Sequence, residues 1–528
     1  MLSPGEADAG DKARSWRAAH GAAGNAAPCF DRVLYTGQML EAGGNLKTNR
    51  VVSVAQHALL GTLVAGLTLA WLAAGPGAAG GPGPARAAAA KGIVDSRLEA
   101  SAAGSPERAA LVHEAASELG ARWVRLSADW SHLEPARGAY DAASLAQLDS
   151  LVADLHGAGM RVMLTTCFVP RWASDSSFWS DPPPGMAPGY QSFYPIRDDA
   201  LDDYADFAGF LAARYAGRID ALECWNEPNL WGYLYPQRVA GDEDFGARVY
   251  LRMLKAFARG VRQAPRGSGV RIVAGATAPV GLDDKLRTSP QRFARFLRAQ
   301  GAAAYFDVYS HHPYTPGGSF YAAPDQPPND LKTTVTLYNL RTLLRLFPRK
   351  PFFLTEYGYN TDACIDFGDF AVSEATQASY LRRAYAYAGR YAQVRALFWY
   401  LITDAPPASG SSDQGVYTGL RRATGGRKPA WYAYAGGAGV SLHAAARARS
   451  GSLITLRGSA LWRGAAASGQ ALVLEGRRLG TRYWYQLVHV TSDSEGRYRL
   501  RLRFTAAAQF RTAWSGVRVS AVRAVRVR

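Results

Sequence analysis

Cysteine is scarce in this chain. The four present, Cys29, Cys167, Cys224 and Cys364, have spacings that fit no zinc-binding or dithiol redox motif. Cys167 and Cys224 fall on runs expected to become neighbouring strands, so a disulfide between them is one state and buried free thiols the other. No glycine-rich phosphate turn follows an early strand, which counts against a dinucleotide-binding doubly wound sheet. No nucleic-acid-binding motif is found either. Acids nearly vanish near the C-terminus, where Glu475, Asp493 and Glu495 are the only ones after Arg447. This shortage concentrates much of the net charge of +17 there. A basic surface suits nucleic acid, anionic lipid or acidic polysaccharide. Arginine-rich codon usage in a GC-rich genome yields the same excess with no function attached.

Apolar residues, by contrast, are plentiful. They make up 48% of the 528 positions, enough for a large core and against wholesale disorder. The length suits roughly two to four structural units.

Residues 1–90 read as a targeting region. Lys47 and Arg50 precede an apolar run at 51–72, and roughly 22 such residues can span a bilayer. A Gly/Pro/Ala linker follows, in which Ala85 and Ala87, or Ala88 and Ala90, suit signal peptidase. The expectation is export, with Met39 as an alternative start. The run is then either a cleaved signal peptide or a retained membrane anchor that leaves the catalytic part outside.

From 91 to 440 short β-rich runs alternate with amphipathic helical runs. Strands are expected at Ile93-Val94, Trp123–Leu126, Arg161–Thr165, Ile219–Trp225, Val270–Ala274, Phe306–Ser310, Phe352–Thr355 and Ala396–Tyr400. Helices are expected between them, among them Leu331–Phe347. A βα beat implies a parallel sheet with crossover helices. Eight repeats over about 340 residues suit a closed (β/α)8 barrel, with an open doubly wound sheet as the alternative. In such barrels chemistry gathers at the C-terminal strand ends.

Two glutamates stand there. One strand runs into Asn226-Glu227-Pro228-Asn229 and another into Glu356-Tyr357-Gly358. Glycosidic cleavage needs two carboxyl groups flanking the scissile bond, and in retaining enzymes these lie about 5–5.5 Å apart. Pairing to arginine would be the purely structural use of either one.

The words Trp-Asn-Glu-Pro at 225–228 and Leu-Thr-Glu-Tyr-Gly at 354–358 resemble glycoside hydrolase clan A. Over roughly residues 93–436 the chain is most similar to family 39 and its relatives, with family 5 as the nearest rival. The resemblance implies Glu227 as acid/base on strand four and Glu356 as nucleophile on strand seven. It further implies Arg125 beside the nucleophile and Asn226 on the sugar 2-hydroxyl. His312 and Tyr314 would bond the nucleophile and substrate, with His311 competing for the histidine role. Trp399 would stack under the sugar. Trp130, Trp172, Trp231 and Tyr233, in or near βα loops, are further candidates for substrate contact, as ordinary loop packing also would explain. Trp179 and Tyr190 lie in a long loop, 174–194, that would shape the cleft. This chemistry requires no cofactor. A metal on His311 and His312 lacks a third ligand at usable spacing.

From 441 to 528 the pattern turns to short alternating strands: Leu453–Leu456, Ala471–Leu474, Tyr483–Val490, Tyr498–Phe504 and Val517–Val527. This predicts a small all-β sandwich, similar to immunoglobulin-like domains of actinobacterial secreted enzymes. It would contact anionic cell-wall polymer or pack on the barrel. The expected function is a secreted retaining glycoside hydrolase acting on a poly- or oligosaccharide. A transglycosidase with the same site and a non-catalytic carbohydrate-binding barrel are the alternatives.

Overall fold

The computed structural model describes residues 89–265, 269–315, 322–361, 371–406 and 416–527. The targeting region, but for its last two residues, lies outside them, as do Cys29 and Cys364. No helix among the described residues is long and apolar enough to cross a membrane.

Eight parallel strands close into a barrel: β1 (Ala90–Val94), β2 (Trp123–Asp129), β3 (Arg161–Cys167), β4 (Ala221–Cys224), β5 (Arg271–Thr277), β6 (Val308–His311), β7 (Phe352–Leu354) and β8 (Val394–Tyr400). Each pairs with the next, and β1 pairs with β8. The expected closed barrel is therefore the fold, and the open sheet is excluded. Helices cover the outside. Phe245–Gln263 shows why they form: Val249, Leu254, Phe257 and Val261 recur on one buried face, whereas Lys255, Arg259 and Arg262 face solvent.

Strand alternation splits the core in two. Inward-facing Val94, Trp123, Met163, Val273, Val308, Phe353 and Phe398 fill the barrel, and their outward neighbours join the layer under the helices. Gly92 is required on this inner face, because a Cβ there would meet the Phe398 ring at 2.6 Å. Two positions further along β2, β3 and β4 the inward residues become Arg125, Thr165 and Glu223. The apolar floor thus carries a polar layer, which underlies the C-terminal mouth.

One expected helix is largely missing. Within 331–347 only Arg341–Leu344 is α-helical. Thr333, Thr334, Val335 and Thr336 form a β-branched run that disfavours helix. Thr334 instead bridges Val280, and the Val335 carbonyl takes up His311 Nε2 at 3.0 Å.

After the barrel, the helix Pro429–Ala435 leads into two further sheets. One contains β9 (Ala438–Val440), β11 (Leu453–Trp462), β12 (Ala465–Ala466) and β15 (Arg497–Arg503). The other contains β10 (Arg447–Ala448), β13 (Ala471–Arg478), β14 (Tyr485–Thr491), β16 (Ala508–Trp514), β17 (Arg518–Val519) and β18 (Arg523–Val527). This is the expected sandwich, with Leu456, Leu472, Leu474, Phe510 and Trp514 in its core. It rests on the barrel. Trp431 and Tyr432 meet Trp462 and Trp514 at ring separations of 4.7 and 4.8 Å respectively. Gly516, at φ 71°, lets its turn press on the helix Glu374–Ala388, where a Cβ would meet the Ala375 carbonyl at 2.1 Å.

Candidate active site

Glu227 and Glu356 face each other across the barrel mouth, both buried. Glu227 lies three residues past the end of β4, and the path to it is strained. Trp225 has φ 71° and Glu227 φ 37°, left-handed values that are uncommon for side-chain-bearing residues and outlying for one as bulky as Trp225. The Glu227 amide donates to the Ala276 carbonyl at 3.0 Å, which holds this turn against β5. Residues in sparsely populated backbone regions of this kind cluster at active sites.

Arg125 organises the floor of the site. Its fully buried guanidinium donates to Glu356 Oε1 at 2.6 Å, to Glu223 Oε2 at 2.7 Å and to Asn226 Oδ1 at 2.7 Å. Tyr314 donates to Glu356 Oε2 at 3.0 Å. Glu356 is thus fixed from both sides. Glu227 has a different partner: His312 Nδ1 shares a hydrogen bond of 2.9 Å with its Oε1. The same nitrogen lies 3.7 Å from Glu356 Oε2. His312 Nε2 pairs with Thr355 Oγ1 at 3.1 Å, so both ring nitrogens are engaged.

The competition between the two histidines is resolved by these contacts. His311 is turned away, bonded to Thr277 Oγ1 at 2.8 Å and to the Val335 carbonyl. His312 is the residue at the carboxyls, and its hydrogen bond goes to Glu227 rather than to Glu356.

The electrostatics separate the two carboxyls. Burial pushes Glu356 up to about 7, while the charge of Arg125 and the hydrogen bonds from Tyr314 and Arg125 pull it down. Burial, and then the charge of Glu356, push Glu227 well above the usual carboxylate range. Its histidine partner offers no counter-charge, because burial holds His312 well below its ordinary value and therefore neutral. Glu356 is the carboxyl with direct cationic and hydroxyl donors, so it loses its proton first. The site then holds one carboxylate and one carboxylic acid.

Glu223 was not singled out in the sequence. It lies inside β4 rather than at its end, yet it faces the barrel interior, fully buried, and receives Thr165 Oγ1 at 2.8 Å as well as Arg125. The inward parity of a strand carrying Ala221 and Glu223 is the signal that identifies it. Arg125 is shared between Glu223 and Glu356, so its charge offsets only one of them. The negative charge of Glu223 raises the proton affinity of Glu356. Glu223→Gln is accordingly expected to lower the value of Glu356 and to move the acidic limb of the kcat/KM profile to lower pH. An acidic limb that stays in place or moves up would exclude this role. Arg125→Ala would leave two buried carboxyls without their shared cation. It is expected to cost about 3–5 kcal/mol of stability, read as a lowered Tm.

Among the described residues, two buried donors at the site have no hydrogen-bond partner, Asn226 Nδ2 and the Tyr233 hydroxyl, and Glu223 Oε1 is an unpartnered acceptor there. Tyr233 lies close enough to feel the charges of Glu227 and Glu356, and its ring stacks on Phe168 at 5.8 Å. An orphaned donor in a buried site is costly unless a ligand satisfies it.

The aromatic expectations are corrected in part. Trp399 does not stand in the mouth. Its side chain is fully buried in the layer outside the barrel, with Nε1 donating to the Thr418 carbonyl at 2.9 Å. Strand neighbours face opposite ways, and it is Tyr400 that faces the barrel interior. Trp130 is also core: fully buried, stacked on Phe207 at 5.8 Å, with Nε1 on Glu134 Oε2 at 2.7 Å. Trp172 packs edge-on against Trp130 at 5.5 Å and donates to the Glu134 carbonyl. Trp231 is half-buried in a loop cluster with Phe193, Tyr194 and Tyr235. In the long loop, Trp179 lies beside Tyr190 at 5.8 Å, with Arg171 over the Trp179 ring at 4.6 Å.

No protein-family model matches this chain, and no curated protein matches it. Solved structures do. A family 39 glycoside hydrolase from the gut symbiont Bacteroides cellulosilyticus WH2 is similar at 17% identity and TM-score 0.45, over 80% of each chain. GH5_18 from Streptomyces cattleya in complex with GlcNAc is similar at 18% identity and TM-score 0.47, over 66% of this chain and 79% of that one. GH5_18 from Bifidobacterium longum subsp. longum is similar at 15% identity and TM-score 0.48, over 66% and 78%.

Three residues of the site could together hold a metal ion, and His311 is not among them. Glu227, His312 and Glu356 each bring one ligand-type atom within 4.8 Å of the others. Arg125 already occupies Glu356 Oε1 and places a fixed positive charge beside any cation bound there. Cys167 and Cys224 are both free and buried, so the disulfide is excluded.

Proposed function

We propose that this chain is a retaining glycoside hydrolase that cleaves O-glycosidic bonds by double displacement. The observation that carries the reading is the carboxyl pair itself. An oxygen of Glu227 lies within 4.8 Å of one of Glu356. That close approach supports the roughly 5–5.5 Å carboxyl spacing of retaining enzymes.

The roles follow from the surroundings. Glu356, ionised and held by Arg125 and Tyr314, attacks the anomeric carbon. Glu227, protonated, gives its proton to the departing oxygen. As the glycosyl ester forms, the charge on Glu356 disappears, and Glu227 becomes a stronger acid at the moment it must release its proton. It then takes a proton from the water that hydrolyses the ester. Asn226 Nδ2 and the Tyr233 hydroxyl meet sugar hydroxyls.

The reading extends to a poly- or oligosaccharide substrate, to export, and to an immunoglobulin-like character of the sandwich. Export rests on the apolar run at 51–72, whether cleaved or kept as an anchor. The test is a panel of polysaccharides and aryl glycosides, with product anomers followed by NMR from the first turnover. A first product of the substrate's own anomeric configuration is expected, and an inverted first product would overturn the mechanism. Binding without turnover across the panel would favour a carbohydrate-binding barrel instead.

A further inference from the structure

The charge excess of the chain becomes a surface with a definite geometry. Residues 441–528 contain sixteen arginines, no lysine and three acids, and the acids are all engaged locally. Glu475 accepts Arg511 at 2.6 Å, Glu495 pairs with Arg497, and Asp493 Oδ1 accepts the amides of Glu495 and Arg497 in its own turn. Apart from Arg497 and Arg511, the described arginines of this region have no carboxylate partner, and they are most regularly placed on β15.

Arg497, Arg499, Arg501 and Arg503 alternate along that strand, all exposed. Between them Tyr498 points inward and pins the strand, its hydroxyl bonded to Thr512 Oγ1 at 2.7 Å across the sandwich. The register with β11 sets Arg457 directly opposite Arg499. Directly opposed like charges destabilise a sheet. Among the described residues the side chains of Arg457, Arg499 and Arg501 make neither a hydrogen bond nor an ion pair. Arg457, Arg497, Arg499 and His443 border a surface groove of about 930 Å³, with Asp493 the one acid on its wall.

We infer that the outer face of β11 and β15 binds an acidic polysaccharide through its carboxylates. Alternate positions on a strand are roughly 6–7 Å apart, so the ladder offers guanidinium groups over about 20 Å. That geometry fits an extended polymer with repeating anionic groups better than a single small anion. Arginine, unlike lysine, presents a planar fork that matches a carboxylate bidentately. The outward positions of the two strands, Leu453, Thr455, Arg457 and Ser459 with the four arginines, include no aromatic ring. Stacking of neutral sugars or of unpaired bases is therefore not what this face is built for. The choice of a polysaccharide over another polyanion rests on the glycosidase reading. The substrate class it points to is uronate-bearing glycan held beside the barrel.

The test is affinity electrophoresis of the whole protein in gels containing polygalacturonate or neutral xylan, with duplex DNA and anionic phospholipid vesicles as competitors. Retardation by polygalacturonate alone is expected, weakening steeply as salt rises. The triple variant Arg457→Gln, Arg499→Gln, Arg501→Gln should lose affinity about tenfold or more, as three exposed charge contacts permit. Its Tm and its hydrolysis of a small aryl glycoside should stay at wild-type values. Unchanged binding by the triple variant, equal retardation by xylan, or tighter binding of DNA or vesicles would each overturn the inference. Because binding is read without turnover, wild-type inactivity on every glycan would count against the glycosidase reading alone and leave this result standing.

Discussion

Glu356→Gln is expected to abolish turnover while the fold stays intact. Glutamine keeps the shape of the side chain but cannot form the glycosyl ester, so the loss should reach roughly 10⁴-fold or more in kcat, even for an aryl glycoside with an activated leaving group. Arg125 keeps Glu223 and Asn226 as acceptors, and the buried negative charge is removed, so Tm should not fall greatly. A second readout identifies the atom directly. A 2-deoxy-2-fluoro glycoside slows hydrolysis of the ester more than its formation, and it should label wild-type protein by one glycosyl mass on the peptide carrying Glu356. The variant should remain unlabelled. A label on Glu227, or near-normal turnover by the variant, would sink the nucleophile assignment. In the wild-type protein the acidic limb of kcat/KM should fall near neutrality, because Glu356 must shed a proton it holds up to about 7.

The barrel was legible because its two periods alternate cleanly. Strand runs such as Arg161–Cys167 are apolar and short, whereas runs such as Phe245–Gln263 repeat apolar residues every three or four positions. Legibility failed where local composition opposed the tertiary outcome. The stretch 331–347 has helical-looking leucines but carries four β-branched residues at 333–336, where the Val335 carbonyl takes up His311 at the end of β6. In the sandwich, β16 was missed because it opens out of Ala506-Ala507-Ala508, a run of low strand propensity. Burial of Phe510, Thr512 and Trp514 on one face outweighs that.

The site divides along a similar line. Glu227, Asn226, Glu356, His312 and Tyr314 were legible because sequence motifs at strand ends place them, and Arg125, inside β2, because the resemblance implies an arginine beside the nucleophile. Rings were less so. A tryptophan at a strand end lies in the mouth or under the helices according to strand parity alone, and the sequence around Phe398-Trp399-Tyr400 offers aromatic side chains of both parities. Trp130 follows β2 as closely as a cleft residue would, but its helical turn folds the ring back onto Phe207. Glu223 was hidden for the opposite reason: a carboxylate within a strand reads as a pairing residue until the barrel closes and places Arg125 between it and Glu356.

Glu227→Ala should produce a different defect from Glu356→Gln, and the difference discriminates the two roles. Without the acid, leaving groups that need protonation depart slowly, so natural glycosides should lose about 10²–10⁴-fold in kcat/KM. Activated aryl glycosides should lose much less in that step, because their leaving groups need little protonation. Hydrolysis of the ester then becomes limiting, since no base remains to activate water. Azide needs no such base and fits the space left by the missing carboxyl. It should restore turnover and yield a glycosyl azide of the substrate's own anomeric configuration. The basic limb of the pH profile should vanish with the variant, because the group that must stay protonated above Glu356 is Glu227 itself. Azide without effect, or a product of inverted configuration, would exchange the roles. The structure favours the assignment made here because only Glu356 has the guanidinium at 2.6 Å and the phenol at 3.0 Å that keep a carboxylate charged in a buried site. Glu227 has a neutral imidazole beside it, and that is the setting in which a carboxyl keeps its proton until a leaving oxygen takes it.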